Sequence, residues 1–515
     1  MGSIFSSVRV SKPKRNAFNP SHEVKLSCNM GELVPFMCQA VVPGDTFKNT
    51  SEIFLRFAPM LAPIMHRVNV YTHFFFVPNR LLWDKWQDFI TGGEDGLQAP
   101  AYPTVKVATA AGSNYTVKGS LSDYLGFPPL VTPVANDAWF DALPFRAYNL
   151  IWNEYYRDQN LQAAVDIAKS TSGAYVPADP ANFLSVRYRA WEKDYFTSAL
   201  PWAQRGAPVT LPLGGSAPVS INAASTTSSQ ASNTTSALSN KQGAGSGGSL
   251  VNGNNQTVTI TGTGTADLSQ ASAITINDLR KATQVQTWLE RNSRSGSRYI
   301  EQIFAHFGVK SSDSRLQRPE FLGGGKSPVV ISEVLQQSST DATSPQGNMS
   351  GHGVSVGQSN SFKRFFEEHG FVIGIMSVVP RSSYQQGMPR QYMKRDKFDF
   401  YYPEFAHLGE QPVTEGELYY QNTSADNGTF GYQSRYAEYK YIPDRVSGDF
   451  RDTLNYWHLG RIFTNPPALN GNFVQCNPDT RIFAVTDPNQ DHLWIEIFND
   501  LKALRPMPFY GTPML

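Results

Sequence analysis

Gly353-Val354-Ser355-Val356-Gly357 has the GxSxG form of a hydrolase nucleophile elbow. That chemistry needs a buried strand before the serine and a helix directly after it, so that the hydroxyl stands on a tight, exposed turn. The preceding residues, PQGNMSGH, are polar and glycine-rich, so a loop is expected and no nucleophile is assigned. Gly323-Gly324-Gly325-Lys326-Ser327 imitates the end of a phosphate loop. The first glycine of GxxxxGKS falls at Glu320, however, and Pro328 follows at once, so a flexible turn is expected.

Neither the histidines nor the acidic residues form a metal set. His66 and His73 alternate to opposite faces of one extended segment, cannot converge on an ion, and read as satisfied polar residues. Glu415 with Glu417, and Asp444 with Asp449 and Asp452, lack the dense alternating oxygen ligands of a calcium loop and read as solvated carboxylates. Cys28, Cys38 and Cys476 make an odd count with no disulfide framework, and no histidine lies between the first two as a zinc site would want. Buried thiols in a chain that folds in a reducing cytosol are expected. No catalytic residue, cofactor or metal ligand is assigned.

Two basic groups remain as candidates for contact with DNA. Arg9, Lys12, Lys14 and Arg15 lie in a first stretch of twenty residues that has no acidic residue, and Pro13 discourages regular structure there. A flexible cationic arm can follow a phosphate backbone without reading sequence. An ordinary frayed terminus is the alternative. Arg291, Arg294 and Arg298 recur at three- and four-residue steps, which aligns guanidinium groups on one helix face unless Gly296 interrupts it. Cations that only complement the helix dipole are the alternative. The formal net charge is +1, so any nucleic-acid contact is local and cannot neutralise a genome in bulk.

The elements that position these residues read as short strands, long loops and a few helices. His66 to Arg80, HRVNVYTHFFFVPNR, holds a long strand with Val68, Val70, Thr72, Phe74 and Phe76 on one side and Asn69, Tyr71, His73 and Phe75 on the other. Both faces are mostly covered, which demands a second sheet or a neighbouring chain. His22 to Cys28 reads as the first strand, and Arg67 to Val77 as the next long one. Leu81 to Ile90 is an amphipathic helix. Pro144 suits a helix N1 position, and Phe145, Tyr148, Trp152 and Tyr155 form an aromatic face that must be buried. Asn277 or Asp278 can cap another helix, and Arg298 to Phe307 forms one that ends at Gly308. Further strands are expected at Phe371 to Val379, Lys397 to Tyr402, Arg481 to Thr486 and His492 to Phe498. Loops are expected at Ser339 to Ser361 and Gln421 to Gly431.

Ile221 to Gln270 breaks the composition. It has one lysine, one aspartate and no aromatic residue, so it cannot bury enough apolar area to fold alone, and a disordered linker is the default. Within it Gln256, Thr257, Val258, Thr259 and Ile260 alternate as a thin ribbon would, which orders when copies support one another. Overall, charged residues make up 17% of the chain and aromatics 12%. Extensive chain-to-chain contact produces that balance, because interface centres exclude charge and favour aromatics; a large filled core does so too. The N-terminus lacks an apolar signal core, and no stretch approaches ~18 uninterrupted apolar residues, so secretion and membrane spanning are disfavoured.

Five blocks carry a resemblance: Val24 to Asp45, Ser51 to Gly93, Leu143 to Asn160, Arg315 to Gly324, and the tail DHLWIEIFNDLKALRPMPFYGTPML. Long, ordered and spread from end to end, they resemble the major capsid protein of Microviridae, of the gokushovirus type. The resemblance implies a mainly β fold, an eight-stranded antiparallel jelly-roll barrel with long inserted loops. It implies a virion protein, assembled in the host cytoplasm, that forms a T=1 icosahedral homo-oligomer around a circular single-stranded DNA genome. Implied partners are a small basic DNA-binding protein, an internal scaffolding protein, a pilot protein and a host-cell receptor. The implied organisation is a basic arm (1–20), a first capsid part (21–205), an insertion gathered at the threefold axes (206–275) and a second capsid part (276–515). The rival from another class is a secreted or surface β-sandwich adhesin or carbohydrate-active protein, which would want a signal peptide and paired carboxylates in a cleft.

Overall fold

Strict alternation of inward and outward side chains builds the two longest strands, Thr46–Phe57 and Leu493–Arg505. The structure, a computed structural model, describes residues 14–108, 114–130, 138–207, 209, 239–241, 249–251, 276–296, 298–335, 337, 349–358, 361–487 and 489–510. The first five strands are β1 (Asn16–Phe18), β2 (His22–Cys28), β3 (Glu32–Val41), β4 (Thr46–Phe57) and β5 (Val68–Pro78). Along β4 the side chains of Phe47, Ile53, Leu55 and Phe57 are buried, while Lys48, Glu52, Phe54 and Arg56 face out. Asn49 and Ser51 also point inward, where Asn49 Nδ2 donates to Ser51 Oγ at 3.0 Å and Ser51 Oγ donates to Asn499 Oδ1 at 2.6 Å.

The strands that complete the two large sheets come late in the chain: β6 (Glu320–Pro328), β7 (Val330–Leu335), β8 (Met349–Gln358), β9 (Phe362–Phe365), β10 (Gly370–Pro380) and β11 (Leu493–Arg505). One antiparallel sheet runs β2-β11-β4-β8-β7, with β1 also on β11 and β9 also on β4. The other runs β6-β5-β10-β3 and ends on a short strand at Arg187–Tyr188. Between the sheets lies one apolar cluster that includes Phe36, Phe47, Phe57, Phe74, Phe76, Ile495 and Ile497. The protein is thus mainly β, with antiparallel sheets and few helices.

The outer face of the second sheet is covered by the same chain. Asp141 caps helix α1 (Ala142–Ile151), accepting from the Leu143 amide at 2.9 Å, so Pro144 is the third helical residue and not the first. The helix continues as a π turn at Trp152–Tyr156. Its aromatic face, Phe145, Tyr148 and Trp152, joins Leu33, Phe75, Val77, Ile373 and Ile375 in a second apolar cluster. Tyr148 Oη donates to Leu33 O at 2.8 Å, and the fully buried Arg146 guanidinium donates to Leu82 O and Thr171 O at 3.1 and 3.0 Å.

Several local expectations are corrected. Two strands, β3 and β4, lie between the segments read as consecutive. The triple glycine is strand β6, not a turn, because a Cβ at Gly324 would lie 2.6 Å from the His73 ring and 2.7 Å from Thr72 O. Met349–Gln358 is a strand inside the stretch read as a loop, and Thr429–Ser434 is a strand at the end of the other. Lys397–Asp399 is a 3-10 turn capped by Asp396 rather than a strand, and Arg481 to Thr486 forms none. Leu81 to Ile90 is split between short helices at Asn79–Leu82 and Trp86–Thr91. Helix α2 (Ile276–Ser295) and helix α3 (Tyr299–Phe307), closed by Gly308 at φ 68°, occur where helices were expected, although Asn277 and Asp278 lie inside the first turn of α2 and do not cap it.

Two compact units emerge, Met1–Ala203 with Asn292–Leu515, and Gln204–Arg291. Within the second, Ser239–Lys241 pairs antiparallel with Ser249–Val251. Gln256 to Ile260 lie outside the described residues.

Candidate functional site

The motifs that imitate enzymes are engaged in the fold. Ser355 sits on β8 with its hydroxyl donating to Pro328 O at 2.9 Å, and it is buried. His66 Nε2 lies 2.6 Å from Arg381 O, and His73 Nδ1 lies 2.7 Å from Tyr156 Oη. Burial holds both imidazoles down at about 4, with Arg189 adding to the effect at His73, so both stay neutral near pH 7. Burial also pushes the Cys38 thiol up to about 12. Glu417 accepts from Arg390 Nη1, Tyr195 Oη and the Thr414 amide, each at 2.9 Å. Among the described residues no group of three His, Cys, Asp or Glu could hold a metal ion, and no helix is long and apolar enough to cross a membrane.

A different surface stands out physically: an aromatic ridge built from residues 389–408 and 435–442. Helical turns at Arg390–Tyr392, Lys397–Asp399 and Pro403–Phe405 fix its backbone. Arg435 Nη2 donates to Phe398 O at 2.7 Å, and Tyr436 Oη donates to Phe398 O and Phe400 O, both at 3.1 Å. Tyr401 packs on Tyr436 with centroids 5.3 Å apart, and Lys394 Nζ sits 3.8 Å over the Tyr439 ring. Yet Tyr392, Phe400, Tyr401, Tyr402, Tyr439 and Tyr441 each remain at least half exposed. Rigid, half-exposed tyrosines lose little entropy when covered, and contiguous apolar surface of this kind marks a partner site. The low-charge, aromatic-rich composition pointed to such contacts but not to their place, because exposure is not legible in composition.

The seven basic candidates are placed unevenly. Arg9 and Lys12 lie outside the described residues, while Lys14 and Arg15 are exposed, with the Arg15 guanidinium 5.0 Å from the Phe365 ring. Arg291 is exposed, and Arg294 is ion-paired with Glu410. Arg298 is mostly buried at the start of α3. It donates to Asn153 O at 3.2 Å, Arg157 O at 3.0 Å and Glu301 Oε1 at 3.2 Å, so its guanidinium braces the first unit internally. The structure therefore does not bring the three arginines of the second group onto one common face.

A β-sandwich that presents a rigid aromatic surface in this way has the features of a protein that associates with other chains. The chain belongs to the phage capsid F protein family, whose model matches residues 6–515. It is 38% identical to capsid protein VP1 of Chlamydia phage 1 (100% of this chain, 98% of the relative). It is 37% identical to that of Bdellovibrio phage phiMH2K (97% and 95%) and 32% to that of Spiroplasma virus 4 (99% and 97%). The resemblance to Microviridae holds over the whole chain, and the protein is a structural, non-enzymatic component of the virion, where it forms a homo-oligomeric shell. The adhesin and carbohydrate-active alternative is not favoured.

Proposed function

We propose that the sandwich is an eight-stranded jelly roll and that identical chains close into a T=1 icosahedral shell around a circular single-stranded DNA genome. Support for the barrel comes from strand order: β2-β11-β4-β8 oppose β6-β5-β10-β3, and the chain crosses from sheet to sheet at each step from β2 to β5. The short β1, β7 and β9 then extend one sheet. Closure needs separate patches at fivefold, threefold and twofold contacts. The observation that carries the assembly reading is the exposed, internally braced aromatic ridge, which would be a solubility liability on a permanent monomer.

Within that reading, residues 1–20 form the arm, 21–205 and 276–515 the shell, and 206–275 the insertion that gathers at threefold axes and contributes to host attachment, with Gln256 to Ile260 as its ribbon. A small basic DNA-binding protein neutralises most of the genome, since this chain carries a net charge of only +1. The internal scaffolding protein, the pilot protein and the host-cell receptor complete the partners. Arg9, Lys12, Lys14 and Arg15 touch the packaged strand, with Arg291 as a secondary contact, while Arg294 and Arg298 are taken up by Glu410 and by backbone carbonyls.

Alanine at all four arm positions is expected to lower the nuclease-protected DNA per particle in a salt-sensitive way while shells still form. Quantifying encapsidated DNA across a salt series checks this; unchanged DNA content would assign the arm a purely structural role.

A further inference from the structure

The outer face of the first sheet carries a row of like charges. In the β11–β4 pairing Lys502 stands opposite Lys48, and in the β9–β4 pairing Lys363 stands opposite the same Lys48. All three are exposed on the outer face, because their neighbours Leu501, Asn49 and Phe362 point into the core. Directly paired side chains on one face have Cβ atoms about 4.5–5.5 Å apart, and like charges so placed repel. Lys502 has one weak carboxylate neighbour, Asp500, at 3.6 Å. Elsewhere on this face charge is balanced, as where Lys25 pairs with Glu23 at 3.0 Å and Glu496 at 3.3 Å.

Next to the row, two residues along β9, the Phe365 ring lies 46% exposed with the Arg15 guanidinium 5.0 Å from its centroid. A line of ammonium groups beside an exposed ring is the arrangement that binds single strands without reading sequence: cations follow the phosphates and a base stacks on the ring. An acidic protein segment would satisfy the lysines but has no use for the ring. We propose that Lys48, Lys363 and Lys502, with Phe365 and Arg15, form a single-stranded DNA contact site on this sheet face. The site rests on the reading of the chain as a shell around such a genome, and it turns the face not covered by α1 toward the packaged strand.

The test titrates the full-length purified chain with a fluorescent oligo(dT) 20-mer across salt and measures protected DNA in particles. With about 0.7 counterions released per phosphate contact on a single strand, K48Q/K363Q/K502Q should flatten the log affinity against log salt slope by about 2. Between 50 and 200 mM salt the parent then loses roughly 20-fold more affinity than the variant. K48R/K363R/K502R should restore the slope. Phe365→Ala should weaken binding about tenfold and leave the slope unchanged, as loss of stacking does. The thermal midpoint of the glutamine variant should not fall, since a mutual repulsion is removed. An unaltered slope and unaltered DNA content in the glutamine variant would overturn the site, including the case in which its particles lose a virion protein instead. Parent particles that hold no single-stranded DNA would overturn the underlying reading.

Discussion

Replacing Ile221 to Gln270 with a short Gly-Ser bridge will leave particle yield unchanged and cut adsorption to host cells at least about a hundredfold, the scale of avidity lost when linked weak contacts are removed. The segment is too polar to supply a core, and it falls within a separate compact unit, Gln204–Arg291. Loop-closure entropy grows by only about 0.6 kcal/mol per doubling of length, so shortening some fifty residues to a few favours the shell by about 2 kcal/mol. Binding residues gather on loops held by a rigid scaffold, and three copies meeting at one axis would multiply weak contacts. Particle counts and cell-binding assays on the same preparation separate the two roles. Failure to assemble would make the insertion part of the shell, and normal adsorption would make it a spacer.

Phe74→Ala is expected to lower subunit stability by about 3–5 kcal/mol and to cut particle yield sharply. The ring is fully buried between the sheets, with centroids 5.7 Å from Phe36 and 5.2 Å from Phe362, so it joins β5 to β3 and β9. Truncating a buried phenylalanine costs about 3–5 kcal/mol, set against a total stability of about 5–15 kcal/mol. Phe54→Ser on the outer face of β4 supplies the contrast, with an expected cost below about 1 kcal/mol because that ring is already over a third exposed. Denaturant unfolding of the two variants measures the difference. Equal midpoints would mean that the two sheets do not share the core described for them.

These two residues also show what the sequence makes legible. The period-2 pattern of Val68 to Phe76 required cover on both faces, and the spacing of Phe145, Tyr148 and Trp152 required burial of an aromatic helix face. In the structure these two needs meet: the other sheet covers Phe74 and Phe76, and α1 covers Phe75 and Val77. Apart from β3 and β4, which were passed over despite strand-like patterns, strands were missed where composition contradicted them. β6 contains three glycines in a row, and β8 is glycine-rich because Gly353 lies against Phe57, with a would-be Cβ 2.8 Å from its ring. Lys397 to Tyr402 has the residue types of a strand, but Asp396 and Asp399 cap a tight turn instead, a local hydrogen-bond choice that propensity does not weigh. The GxSxG and GGGKS matches, read as a loop and a flexible turn, both occur in strands.

Surfaces were harder to read than elements. Tyr401 and Tyr439 look like core residues in a sequence, and only the turns that hold them show that they face out. The lysine row is invisible in sequence, since Lys48, Lys363 and Lys502 meet only through the strand register. Arg291, Arg294 and Arg298 illustrate the reverse. Helical spacing suggested one face, yet Gly296 separates α2 from α3 and Arg298 turns inward to carbonyl oxygens.

Electron cryomicroscopy of particles purified from cells that express the chain with its viral assembly partners tests the central claim most directly. The account predicts uniform closed T=1 shells with one chain per asymmetric unit, the aromatic ridge buried between neighbouring subunits, and nuclease-protected circular single-stranded DNA inside. A stable soluble monomer as the only product under those conditions would contradict it.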